Sequence, residues 1–336
     1  MDSMDPARRE TSSAQTIAGR AVLLEIGAKL GVIDTFLQQK SVSVGDVARA
    51  AGVDSSMVAA YYSALAHAGL ARREGREDNG GTRYVAPPDF NQSINECGYV
   101  LWGLISCAPL LANAMAFAKD LPSAVERFPR DGEHVARTSR YMGEQDFYPP
   151  AERAVVSARP RRIVDLGAGT CGLLMRCLRQ LPEATAVGID LNGDACKKAR
   201  DIVAAAGMSE RIRVVEAPIQ SLVGDPSPLE GAEVIHGGFV FHDLMPDEEA
   251  TLDALLATFR RVAPQAAVIV VDAVPYAPNS DEQAFSAAFT FLHSHFMGRR
   301  LMPEGEWRQK LTAAGYGSVA VERLGISGGR IFTARA

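Results

Sequence analysis

The stretch that most constrains the fold is Ile163-Val-Asp-Leu-Gly-Ala-Gly-Thr-Cys-Gly172. Branched apolar residues around one acid read as a buried strand, and the Gly-x-Gly-x-x-Gly that follows reads as a tight turn at its carboxyl end. The chain then resumes in the helical pattern Leu173-Leu-Met-Arg-Cys-Leu-Arg179. A strand, turn and helix in this order form the first unit of a doubly wound sheet, with a ligand beyond the end of the strand. Glycines alone suit many nucleotides. Two acids narrow the choice: Asp165 stands just before the first glycine, and Asp190 ends a second strand, Ala184–Asp190, about twenty residues on, where a ribose diol is read.

From Arg161 onward strands and helices alternate, which predicts an α/β domain with a mainly parallel sheet covered on both faces. Strands are expected at Arg162–Leu166, Ala184–Asp190, Ile212–Glu216, Ala232–Gly237, Ala267–Asp272, Tyr316–Arg323 and Arg330–Ala334. The last two are joined only by Leu324 to Gly329, too short for a crossover helix, so they must pair antiparallel.

The first half of the chain is organised differently. Ala14 to Gln38 carries apolar residues at helical spacing, interrupted by glycine, and predicts two helices. Val42 to Leu70 reads as helix, turn at Gly52, N-cap at Asp54 and a second helix ending at Gly69. Leu70–Arg73 and Thr82–Val85, around the polar turn Gly75 to Gly81, supply a two-stranded wing. A winged helix raises DNA binding, but from Asp54 to Leu70 there is no Lys, Arg, Asn or Gln to read a base edge. Packing or dimerisation is the expected role. Asn95 to Glu152 is again helical, and its apolar content suits the wall of a pocket, with Trp102 in it and Phe289 and Phe296 further on as candidate lining.

At 336 residues the chain is long enough for two cores, and a net charge of −5 gives no basic face for nucleic acid. The five cysteines are scattered without CxxC spacing, as in reduced, cytoplasmic proteins. The polar Met1 to Glu10 does not read as a signal peptide, and no apolar run is long enough to span a membrane, so a cytoplasmic location is expected.

The antiparallel ending together with Val164-Asp-Leu-Gly-Ala-Gly-Thr170 resembles the class I S-adenosylmethionine-dependent methyltransferases. The winged helix, the helical middle and His242-Asp243 in Phe239-Val-Phe-His-Asp-Leu244 are similar to the small-molecule O-methyltransferase family that dimerises through its N-terminal domain. The resemblance implies a Rossmann-like seven-stranded domain at 159–336, a winged-helix dimerisation domain at 1–90 and a helical linker and pocket wall at 91–158. It also implies that Asp165, Gly167, Ala168 and Gly169 wrap the methionyl and ribose portion of the donor. Asp190 is then expected to take the ribose hydroxyls, with Leu191, Ala217, Pro218, Ile219 and Phe239 completing the site. His242 takes the place of the family's general base, with Asp272 as its acidic helper, while His236 is structural.

Phe291-Leu-His-Ser-His-Phe296 adds histidines that proton abstraction does not need. Residues two apart on a helix point about 200° apart, so only one faces inward. His295 shares a side with Ala284, Ala288 and Phe291, and His293 with Glu282, Ser286 and Thr290, so His295 is the expected inward residue. His242, His295 and a carboxylate from Asp243 or Asp272 then form a candidate site for iron or zinc. Such a set resembles the branch that methylates the β-carbon of 2-oxo acids, because a metal chelated by such a substrate stabilises its enolate. Arg127 is the candidate partner for the substrate carboxylate. The sequence therefore predicts a homodimeric C-methyltransferase acting on a 2-oxo acid. A metal-independent O-methyltransferase with His242 as base is the first alternative, and a DNA-binding regulator that has kept the cofactor fold is the second.

Overall fold

The computed structural model describes residues 12–76, 82–279 and 281–336. The polar N-terminal stretch and most of the wing turn expected at Gly75 to Gly81 lie outside the described residues. The chain forms two compact units. The first comprises residues up to Ala112 together with Pro129–Gln145, and the second comprises Asn113–Phe128 with Asp146–Ala336. The segment read as a helical wall, 91–158, is thus divided between them.

In the first unit, helix Ala14–Lys29 is followed by the short helix Asp34–Gln39, with Gly31 in the left-handed region between them. Helix Val44–Ala51 stops at Gly52, whose φ of 65° favours a residue without a Cβ, and Asp54 caps helix Ser55–His67 by accepting from the backbone of Ser56 and Met57. These are the turn and cap legible in the sequence. Strands β1 (Ser41–Ser43), β2 (Arg72–Arg76) and β3 (Thr82–Val85) make an antiparallel sheet in the order β1-β3-β2, one strand more than the expected wing. Tyr61 and Tyr62 turn inward, donating to the carbonyls of Leu23 (3.0 Å) and Val32 (2.7 Å). The rings of Phe36, Tyr62 and Phe90 meet edge to face in the core of this unit. Helix Phe90–Leu101 runs on into a π-helical turn at Trp102–Ser106.

The second unit holds β4 (Arg162–Leu166), β5 (Thr185–Asp190), β6 (Ile212–Glu216), β7 (Val234–Gly238), β8 (Ala267–Ala273), β9 (Ser318–Arg323) and β10 (Gly329–Arg335). They form one seven-stranded sheet in the order β6-β5-β4-β7-β8-β10-β9. All neighbours are parallel except β10, which is antiparallel to β8 and β9. Seven strands and a closing hairpin are as the sequence predicted, with ends differing by a residue or two. Val164, Leu166, Ile189, Ile235 and Val270 are fully buried, as strands covered on both faces require. The strand order reverses direction at β4, where β5 lies on one side and β7 on the other. The carboxyl ends of β4 and β7 therefore part and leave a crevice. Among the described residues no helix is long and apolar enough to cross a membrane.

Candidate active site

The crevice is built from the turns that end β4, β5 and β7. β4 breaks at Gly167, whose φ of 69° favours glycine and where a Cβ would come within 3.1 Å of Val240. The amides of Gly167 and Ala168 both donate to the Ile189 carbonyl, at 2.8 and 3.0 Å, tying the turn to β5. Asp190, at the end of β5, accepts from the amide of Gly169 at 2.8 Å and from that of Asn192 at 2.9 Å. Its carboxylate is thereby fixed at the mouth of the crevice. A cavity of about 200 Å³ is lined by Gly167, Asp190, Leu191, Ile219, Gly238, Phe239, Val240 and Asp243.

Of the residues expected around the donor, Gly167, Asp190, Leu191, Ile219 and Phe239 line this cavity, and Ala168 and Gly169 form its turn. Ala217 donates its amide to the Asp190 carbonyl at 2.9 Å, and Pro218 is exposed beside it. Asp165 stands differently from the expectation. It is buried and hydrogen-bonded to His236, Oδ1 to Nδ1, at 2.6 Å, because parallel register sets the two residues opposite each other on β4 and β7. Gly238 and Val240 line the cavity without having been anticipated. Their signal was the strand itself, since the residues that leave β7 beside β4 must reach the same edge. Phe239, between them, has a φ of 53°, a conformation that costs a side chain on the order of 1–2 kcal/mol. Its amide donates to the Val271 carbonyl at 2.7 Å.

His242 lies on the 3₁₀ turn Phe241–Leu244 that follows β7 and is 6% exposed. Its Nδ1 is 2.6 Å from Oδ1 of Asp272, at the end of β8, which also accepts from the Ala273 amide at 2.8 Å. A carboxylate at Nδ1 keeps the proton on that nitrogen and makes Nε2 the basic one. The two ends of neighbouring parallel strands thus assemble an imidazole and its orienting acid.

The histidine that meets His242 is His293, not His295. His293 is 3% exposed, its ring centroid is 5.2 Å from that of His242, and its Nδ1 donates to the Phe289 carbonyl at 2.7 Å. His295 is exposed, as are Ala284, Ala288 and Phe291. The expectation placed the apolar side of helix Gln283–Phe296 inward, whereas the polar side is the buried one. Ser286 accepts the Ala277 amide, Thr290 accepts that of Tyr276, and Glu282 bonds Arg330 and the Gly328 amide. Polar residues face the core here because each satisfies a buried donor.

The ligand set read from the sequence, His242, Asp243 and His295, therefore does not converge. Asp243 Oδ1 lies 3.9 Å from His242 Nε2 and 3.4 Å from Nε of Arg299. Asp272 is engaged by His242. Among the described residues no three His, Cys, Asp or Glu side chains are placed to hold a metal ion. These residues do not fit iron or zinc. Arg127 is exposed, with its guanidinium over the Phe128 ring at 5.2 Å, and Arg299 is the cation beside Asp243.

The cavity does fit S-adenosylmethionine. Asp190 offers carboxylate oxygens to a ribose diol, Leu191 and Ile219 offer apolar surface to adenine, and Gly167 and Gly238 leave room that a Cβ would fill. The buried Nε2 of His236 has no hydrogen-bond partner among the described residues. Residues 163–266 match the family model described as a methyltransferase domain. The chain is 24% identical over 257 residues to "Methyltransferase ungE'" of Aspergillus campestris, covering 75% of this chain and 72% of that protein. Its fold is similar to that of PigF, solved with SAH, with a TM-score of 0.59, 18% identity and coverage of 97% and 100%. It is also similar to human N-acetylserotonin methyltransferase in complex with SAM, at 0.58, 16%, 98% and 99%. The mitomycin 7-O-methyltransferase MmcR gives 0.51, 17%, 95% and 94%. With a methyltransferase domain built around this cavity, the chain is a class I S-adenosylmethionine-dependent methyltransferase.

Proposed function

We propose that this methyltransferase acts on a hydroxyl of a small molecule, with His242 as the general base and Asp272 as the residue that orients it. The reading rests on the 2.6 Å bond between His242 Nδ1 and Asp272, which directs the basic Nε2 away from the acid. When bound, S-adenosylmethionine supplies an electrophilic sulfonium methyl group. His242 then removes the hydroxyl proton as the oxygen takes the methyl, a contribution of typically 10²–10⁴-fold to the rate. The test is His242→Asn: kcat should fall by roughly 10²–10⁴ while affinity for S-adenosylhomocysteine, measured by calorimetry, stays unchanged. Retention of more than a tenth of wild-type kcat would sink the assignment.

A second reading, transfer to the β-carbon of a 2-oxo acid, is favoured by the His293 ring against His242. Labelling separates the two, because only carbon methylation releases a β-deuterium from the acceptor, and elemental analysis of the purified protein tests for a metal. We further propose a homodimer. Val22 and Ile26 on helix Ala14–Lys29, with Leu104 and Leu111, are exposed at 59%, 41%, 59% and 43%, apolar side chains that a second copy would cover. Val22→Lys with Ile26→Glu should halve the mass seen by light scattering.

A further inference from the structure

His236 is a buried titratable side chain with no part in the proton transfer above. It is 5% exposed and stands in β7 directly opposite Asp165 of β4, to which its Nδ1 is bonded at 2.6 Å. That bond places the ring's proton on Nδ1, so Nε2 is a hydrogen-bond acceptor. Nε2 has no partner among the described residues, and an unpaired buried polar atom costs about 1–3 kcal/mol. Its surroundings show where a partner would come from. Gly238 lies two residues along the same strand and so on the same face of the sheet. A Cβ there would sit 3.2 Å from Cε1 and 3.8 Å from Nε2 of His236. Gly238 lines the donor cavity, so the edge of the imidazole is separated from that cavity only by a residue without a side chain.

The electrostatics specify the sign of the partner. Asp165 lies behind the ring, and its charge reaches the adjacent thiols: Cys171 and Cys177 are pushed up to about 12, first by burial and then by Asp165. An acceptor nitrogen backed by a carboxylate suits a cationic donor. In S-adenosylmethionine the α-ammonium is a cation that can donate a hydrogen bond, whereas the carboxylate would be repelled. We propose that His236 is a donor-binding residue whose Nε2 accepts from the α-ammonium of S-adenosylmethionine through the opening at Gly238. This rests on the donor cavity and not on the acceptor chemistry, so a failure of the His242 test leaves it standing.

The test compares two ligands by calorimetry on the full chain: S-adenosylhomocysteine, which has the amino-acid end, and methylthioadenosine, which lacks it. In His236→Phe the Kd for S-adenosylhomocysteine should rise about tenfold, equivalent to about 1.4 kcal/mol, while that for methylthioadenosine changes less than twofold. Unchanged methylthioadenosine binding also reports an intact cavity. His236→Gln, which keeps a polar end and serves if the phenylalanine variant does not fold, should weaken S-adenosylhomocysteine selectively but less. Equal weakening of both ligands, or no weakening of S-adenosylhomocysteine, would overturn the proposal.

Discussion

Two histidine–aspartate pairs take their imidazoles from β7 and from the turn that follows it. His236 with Asp165 and His242 with Asp272 share a 2.6 Å bond between Nδ1 and Oδ1, and all four residues are buried. Their settings differ. The first pair sits within regular parallel register, so its geometry is set by the sheet and its imidazole edge opens only past Gly238. The second forms after β7 has ended, on a 3₁₀ turn reached through the left-handed Phe239, and its imidazole packs against another histidine. The same pairing fixes a tautomer in both places, and what lies at the other nitrogen decides its use. In the proposed reading the first serves the methyl donor and the second the acceptor.

The contrast is sharpest when the acids are exchanged for amides. Asp272→Asn should lower kcat by roughly 10²-fold, because the imidazole loses the partner that fixes its basic nitrogen, and leave S-adenosylhomocysteine affinity unchanged. Asp165→Asn should do the reverse, weakening S-adenosylhomocysteine by about tenfold with kcat at saturating donor within a few fold, since a charged hydrogen bond is worth about 1.5–3 kcal/mol. Calorimetry and steady-state rates on both variants decide the matter. If either variant shows the other's profile, the division of labour is wrong.

A smaller effect separates the two histidines of one helix. His293→Ala should lower kcat several fold, while His295→Ala, at an exposed position, should leave kcat within twofold. An equal loss in both would restore His295 to the site.

The smallest effect concerns a third buried pair, Glu282 and Arg330, whose charges are held permanently. Burial alone would push the Glu282 carboxyl up, but bonds from Arg330, Asn279 and Gly328 outweigh it and hold the carboxyl at about 2. A depressed pKa contributes stability above the usual carboxylate range, and that stability is lost as pH falls from there through about 2. Tm should therefore decline over this acid window in the wild type and less steeply in Glu282→Gln, as thermal melts across the window would record. Equal slopes would remove Glu282 from the account.

The fold was largely legible because its signals are local. Alternating apolar runs, the glycine turn and the short link before β10 each dictate pairing without reference to distant residues. Asp54 and Gly52 announced a cap and a stop for the same reason. The donor turn was legible too, from glycines and from Asp190 at its fixed spacing. What failed was the orientation of a helix whose buried face is polar. Apolarity points inward only when nothing inside needs a hydrogen bond, and Ser286, Thr290 and Glu282 each answer a buried donor supplied by another segment. The partner of His236 was hidden likewise, since register between β4 and β7 brings together residues 71 apart.

The interleaved path of the chain has a consequence for recombination. The polypeptide passes from one unit to the other at Ala112–Asn113, at Phe128–Pro129 and at Gln145–Asp146. A single crossover between genes, wherever placed, cannot exchange one unit and leave the other intact. A fragment beginning at 159 would leave behind helices Ala114–Lys119, Leu121–Arg127 and Tyr148–Ser157, and would strip from Phe296 the ring of Phe117 that now lies 5.1 Å away. Inheritance of the donor cavity together with the wall beside His293 is thus tied to the chain from Asn113 onward. New acceptor preferences are expected to arise by point substitution rather than by exchange of modules.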